Sequence, residues 1–367
     1  MRRVSMAAVT AAVLLLVVGA AGASGAAAGF LGRFHHLKVV ASTVPANGDV
    51  NPYGTVVVKR STGRLVAGDV LVSNFNNRAN LQGTGTTIVQ VSPGGRRSVF
   101  ARVSTSTLPG RCPGGVGLTT ALAVLRHGWV IVGTLPTANG MADTARAGCL
   151  IVINSHGTPV STISGGPING PWDMAWREFR THATLFVTNV LNGTVAAGGA
   201  TVERATVVRI ELGLSGMRER VTGEHVIGSR FPAHSDPAAL VVGPTGLGVT
   251  RRGTLYVADS ASNRIAAIPH AFTRMRSAGT GMTVSRGGLL ADPLGLAIAP
   301  NGDILTVNGV NGRIVETTPA GRQIATRFLD RSGSPPGSGA LFGLAVAPQA
   351  RGLYYVDDAT NTLNLLH

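Results

Sequence analysis

A chain of 367 residues with 44% apolar and only 13% charged residues can bury a large core, which argues against a disordered or coiled-coil protein. Its 50 glycines suit many short strands joined by tight turns. The formal charge of +15 suggests a polyanionic partner, but basic and aromatic residues do not interleave as a nucleic-acid surface requires, so no nucleic acid is expected. Lys38 and Lys59 are the only lysines and every other basic residue is Arg. Two readings stay open: coding bias, or attraction to an anionic envelope polymer or membrane surface.

The chain opens with a targeting pattern. Arg2 and Arg3 supply the positive start, residues 7–19 an apolar stretch, and Ala21-Gly22-Ala23 or Ala26-Ala27-Ala28 a small-residue cleavage site. Residues 1–28 therefore read as a signal peptide, giving a secreted, periplasmic or cell-surface protein. The apolar run reaches Leu31, so an uncleaved N-terminal membrane anchor is the alternative. In such a compartment the only two cysteines, Cys112 and Cys149, are expected to form one disulfide.

From residue 37 the chain repeats. Small residues open a series of apolar segments: Gly54 (PYGTVVV), Gly117 (GVGLTTALAV), Asp173 (PWDMAW), Gly246 (PTGLGV), Gly295 (PLGLAIAP) and Gly343 (LFGLAVAP). A second column of strand ends follows at Asn74, Thr134, Asn189, Asp259, Asn308 and Asp358. Third strands and Gly- or Pro-bearing hairpins come next. Units of about 50 residues with four short strands each predict an all-β, six-bladed β-propeller of four-stranded blades over residues 37–367. The last unit ends one strand short. The otherwise unpartnered residues 37–44 are expected to supply that strand and close the ring. A monomer is expected.

Blade four, PTGLGV followed by GTLYVADSASNRI, resembles an NHL repeat, and blades five and six are similar. LFVTN in blade three is similar to the strand ending of YVTN-type propellers. The nearest enzymatic resemblance is to gluconolactonase and senescence-marker propellers. That resemblance implies a channel metal held by Glu, Asn and Asp, several just before the inner-strand opening. The matching positions here are Tyr53, Val116, Trp172, Thr245, Leu294 and Phe342. They offer one useful hydroxyl, a poor set for a cation that needs several oxygen ligands. A channel Ca²⁺ is accordingly disfavoured, and no metal or other cofactor is expected.

Candidate ligand contacts are Asp173, a carboxylate where five blades have Gly, with the aromatic Trp172 and Tyr53 beside the channel mouth. The column Asn74, Asn189, Asp259, Asn308 and Asp358 could ring a ligand or merely cap its own turns. Long loops at residues 75–86, 135–147 and 190–205 set blades one to three apart and are expected to gather on one rim. No GxSxG, HExxH, dinucleotide or paired-Cys pattern occurs, so catalytic residues are not identifiable. The leading expectation is a non-catalytic binding module that recognises a protein, a glycan or an anionic envelope polymer through that rim. The alternative is a lactonase-like or lyase-like enzyme with a metal in the channel.

Overall fold

The computed structural model describes residues 29–214 and 219–367; the expected signal peptide, residues 1–28, lies outside the described residues. Six antiparallel sheets succeed one another along the chain. Their inner strands are Val50–Val57, Leu118–Val124, Pro171–Glu178, Pro244–Val249, Pro293–Ile298 and Leu341–Val346. Each packs against the inner strand of the next sheet, and the last packs against the first, so the sheets form a closed six-bladed propeller. In the last blade Leu37–Ser42 pairs with Thr362–Leu366, and the N-terminal strand closes the ring as expected. Blade three carries a short fifth strand, Leu240–Val242, beyond the usual four.

Burial explains the strand composition. Middle strands such as Val70–Asn76, Leu255–Asp259 and Leu353–Asp357 are buried at every position, because a neighbouring blade covers each face. Outer strands face solvent and are mixed, as in Arg97–Arg102 and Met282–Arg286. Folding also begins upstream of residue 37. Phe30, Leu31 and Phe34 are buried among Leu305, Leu329, Leu353 and Leu366 between blades five and six.

Every inner strand breaks register near its start, for example between Pro244 and Leu247 and between Pro293 and Leu296. Here the blades approach one another most closely. A Cβ at Gly246, Gly295 or Gly343 would collide with the carbonyl oxygen of Leu294, Phe342 or Tyr53 of the next blade. The repeated glycine is therefore a packing requirement of the ring.

Two positions of the expected alignment shift. Leu118 pairs with Thr134 as Pro171 pairs with Asn189, so blade two opens three residues after Gly117. Its break also spans one more residue, Leu118 to Leu122, and Thr119 and Thr120 together fill the slot assigned to Val116. In blade six Leu341 pairs with Asp357, which makes Asp357 rather than Asp358 the member of the polar column.

Cys112 and Cys149 are bonded, with Cα atoms 5.3 Å apart. The bridge ties the segment entering blade two to its long loop, and closing a 37-residue separation stabilises by about 3–4 kcal/mol. It fits an oxidising compartment. No helix among the described residues is long and apolar enough to cross a membrane.

Candidate functional site: a channel sealed at one end

The inner strands enclose a cavity of about 380 Å³ on the ring axis. Aliphatic side chains, Met174, Leu247, Leu296 and Leu344 from four blades, share its walls with Thr55, Thr120 and Asp173. This is a ligand-sized space near the lower end of the usual range of about 300–1,000 Å³.

The end at which the inner strands begin is sealed. Tyr53 stacks between Phe75 and Phe342, at ring-centroid distances of 4.5 and 4.0 Å, and Trp172 meets Tyr53 and Phe75 edge-on at 5.9 and 5.5 Å. Leu135, Ala142 and Ala145 of the blade-two loop pack on these rings, with Val190, Leu191 and the strap residues Leu240 and Val241 of blade three. Trp172 and Tyr53 are buried, at 4% and 2% exposure, and so present no stacking surface at a mouth. The sequence shows their position correctly but not the lid above them. Desolvation raises the Tyr53 hydroxyl far above its ordinary pKa, with the charge of Asp358 adding to the shift.

The long loops of blades one to three do gather on this rim. Thr137 donates from its backbone N–H to Gly83 O (3.1 Å) and Gln82 Nε2 to Pro237 O (3.1 Å). Underneath, the polar column holds backbone. Asn74 Nδ2 donates to Thr43 O (3.1 Å), Asn189 Oδ1 accepts from Asn169 N–H (3.0 Å), and Asn308 Oδ1 accepts from Ala291 N–H (3.1 Å). Asp259 is fully buried and accepts from Arg264 Nε at 2.8 Å. Asn74, Asn189 and Asn308 likewise have no exposed surface. These side chains pin incoming loops and do not form a ring around a ligand. Asp358, half-buried and outside the column, has its carboxyl pushed up to about 7 by burial and then by the neighbouring Asp357.

Asp173 is different. It lines the channel beneath the seal and is the one carboxylate among the cavity-lining residues. Its backbone N–H donates to Thr188 Oγ1 (2.9 Å), and its Oδ2 accepts from Leu247 N–H of the next blade (2.8 Å). Thr120 stands beside it, with its hydroxyl bonded to Trp172 O. Burial pushes the Asp173 carboxyl up to about 7, opposed by backbone hydrogen bonds from Met174 and Leu247. A carboxyl poised between acid and carboxylate near neutrality, on the wall of a cavity, can give or take a proton.

The residues of the expected metal slot do not fit a cation. Tyr53, Trp172 and Phe342 are in the seal, Leu294 is apolar, and Thr245 Oγ1 is held by Ser260 (2.9 Å) and Pro293 O (3.2 Å). A calcium-like ion needs six to eight oxygens, and Asp173 alone supplies carboxylate there. Among the described residues no group of three His, Cys, Asp or Glu is arranged to hold a metal.

The opposite end of the channel passes Lys59 and Trp176 into two surface depressions. Around them stand Lys59, Arg60, Arg126, Arg177, Arg251 and Arg252. Glu178 is the only carboxylate in their linings, and Arg126 Nε holds it at 3.4 Å. Sequence reasoning missed this basic mouth, although a signal was present. The ends of the inner strands and the turns after them read Lys59-Arg60, Arg126-His127, Arg177-Glu178 and Arg251-Arg252 in blades one to four, against Pro300-Asn301 and Pro348-Gln349 in blades five and six.

No protein-family model matches the chain, and no curated protein sequence matches it significantly. Solved structures do share its fold. A gluconolactonase of Xanthomonas campestris aligns with a TM-score of 0.55 at 12% identity, covering 90% of this chain and 88% of that one. Regucalcin, a calcium-binding protein of Agrobacterium tumefaciens, aligns at 0.54 with 14% identity over 91% and 93% of the two chains. Virginiamycin B lyase of Staphylococcus aureus aligns at 0.50 with 12% identity over 90% and 99%. The agreement is one of fold: a six-bladed propeller with neighbours of the gluconolactonase type.

Proposed function

We propose that the chain is a channel enzyme of the hydrolase or lyase type, and that Asp173 carries its proton. A small anionic, partly apolar molecule enters from the basic mouth, packs its apolar part against Met174, Leu247, Leu296 and Leu344, and meets Asp173 below the seal. The observation that carries this reading is the single carboxyl on the wall of the channel cavity, set among Met174, Leu247, Leu296 and Leu344 and raised by burial to about 7. Two structural neighbours, a gluconolactonase and virginiamycin B lyase, support it as enzymes on the same fold. As water adds to the acyl carbon and the C–O bond breaks, Asp173 in its acid form protonates the departing oxygen and recovers its proton from the added water, while the Leu247 N–H keeps the carboxyl oriented.

The test is acid release from a panel of carboxylate-bearing lactones and esters. Asp173→Asn is expected to lower kcat by about 100-fold or more. The wild-type rate is expected to fall as pH rises through about 7, as the acid form is lost. Activity retained in Asp173→Asn would remove Asp173 from the chemistry.

A second reading, an exported binding module working through the rim of blades one to three, draws on another observation. Leu81 and Met141 of neighbouring loops are exposed at 38% and 57% on the rim, above the seal. A protein, glycan or envelope polymer bound there would depend on these residues and be indifferent to Asp173. In either reading the work is done outside the cytoplasm, which the Cys112–Cys149 bond supports.

A further inference from the structure

Glu316 lies in the third strand of blade five, Arg313–Thr317, and is fully buried. Its Oε1 accepts from Phe30 N–H at 2.6 Å and its Oε2 from Leu31 N–H at 2.8 Å. Asp303 lies beside it, itself buried, with its carboxyl pushed up to about 6 by burial and then by Glu316. No cation answers these two acids among the described residues. The ion pairs there are Arg126–Glu178, Arg209–Glu211, Arg230–Glu203 and Arg264–Asp259. Arg33, on the docked turn, lies over the rings of Phe34 and Phe30 at 5.5 and 6.0 Å, and Arg322 and Arg327 of the adjacent strand segment pair with neither acid. A buried carboxylate next to a second acid is costly without a positive partner.

Gly29 is the residue placed to supply one. A Cβ built on it would lie 2.6 Å from Glu316 Oε2, so its backbone rests directly on the carboxylate and a larger residue would displace it. Bonded geometry then keeps the Gly29 nitrogen within ~5 Å of that oxygen. Ala26-Ala27-Ala28 immediately before it is the small-residue pattern that a signal peptidase cuts. We infer that the Ala28–Gly29 bond is the processing site of this chain, and that the α-ammonium released at Gly29 docks as the cationic partner of Glu316. In that step water adds across the peptide bond. The Ala28 carboxylate departs with the leader, and the Gly29 amine takes up a proton. Phe30, Leu31 and Phe34 hold the new terminus in place, where a free chain end would otherwise fray.

The sign of the pH dependence follows from the pair. An α-ammonium has an unfolded pKa of about 7.7–8.0, and a carboxylate partner raises it in the folded chain. The stabilisation is therefore complete below that value and is lost as pH rises through the raised one.

Two measurements test the inference. The intact mass of the exported protein is expected to correspond to a chain beginning at Gly29; a start at Ser24, or beyond Phe30, would overturn it. A purified chain beginning at Gly29 is then compared with the same chain Nα-acetylated, by thermal unfolding at pH 6 and pH 10. Acetylation is expected to lower the midpoint at pH 6, with the gap closing at pH 10 and in Glu316→Gln. Equal midpoints at pH 6 would overturn the pairing. The acetylation comparison uses only the native sequence, so it stands even if Glu316→Gln does not fold.

Discussion

The two ends of the channel are built from the same repeat and serve opposite purposes. At the end where inner strands begin, four aromatic rings and loops from blades one to three close the axis with apolar surface. At the end where they finish, the strand ends and turns of blades one to four carry Lys and Arg and leave the axis open. A repeat fixes the scaffold, and each face is then free to vary. Here the long loops, the obvious candidates for binding, were used in part to shut a channel. The short segments on the other face hold the positive charge on which the proposed entry of an anion rests.

This contrast can be broken from the closed end first. Trp172→Ala opens a void among Tyr53, Phe75 and the blade-two loop, and is expected to cost about 3–5 kcal/mol in chemical denaturation. A loss below about 1 kcal/mol would mean that the rings are not a packed seal. A smaller effect sharpens the account of Asp173. Its carboxyl titrates near 7 in the folded chain, against 3.8 ordinarily. Between those values the folded chain binds a proton that the unfolded chain has lost, so this group makes stability fall as pH rises from about 4 to 7. Asp173→Asn removes that slope. The variant is expected to gain in unfolding midpoint relative to wild type at pH 8 compared with pH 4. An unchanged difference at the two pH values would show that the carboxyl is not held up by burial. Asp358 contributes with the same sign and remains in both proteins.

The fold was legible because propeller packing writes itself into composition. Strands covered on both faces are mostly apolar, the closest inter-blade contact is filled by Gly in blades one, four, five and six, and the missing strand of blade six had one candidate in residues 37–44. The disulfide followed from there being two cysteines and nothing else for them to do. Register failed where side-chain identity misled. Gly117 was aligned as the opening glycine of blade two, but it packs against the Gly83 loop, and the true opening carries Thr119 and Thr120. The seal was illegible for a different reason. The strap residues Leu240 and Val241 lie 68 or more residues from Trp172 and Tyr53, and no local pattern reports that they cover those rings. Asp173 stood out in the sequence as a carboxylate where most blades have Gly, whereas its position below a lid could come only from the packing.

The central claim, a ligand chamber reached from the basic face and not from the loop rim, is tested most directly by titrating the protein with 8-anilinonaphthalene-1-sulfonate, a probe with an apolar body and an anionic group. The titration is repeated on a variant that fills the channel, Ala345→Trp, and on a rim variant, Leu81→Ser with Met141→Ser. One saturable fluorescent site is expected in the wild type, lost in the channel variant, retained in the rim variant, and weakened by added salt. Binding that survives Ala345→Trp and vanishes with the rim substitutions would contradict it and return the function to the loops of blades one to three.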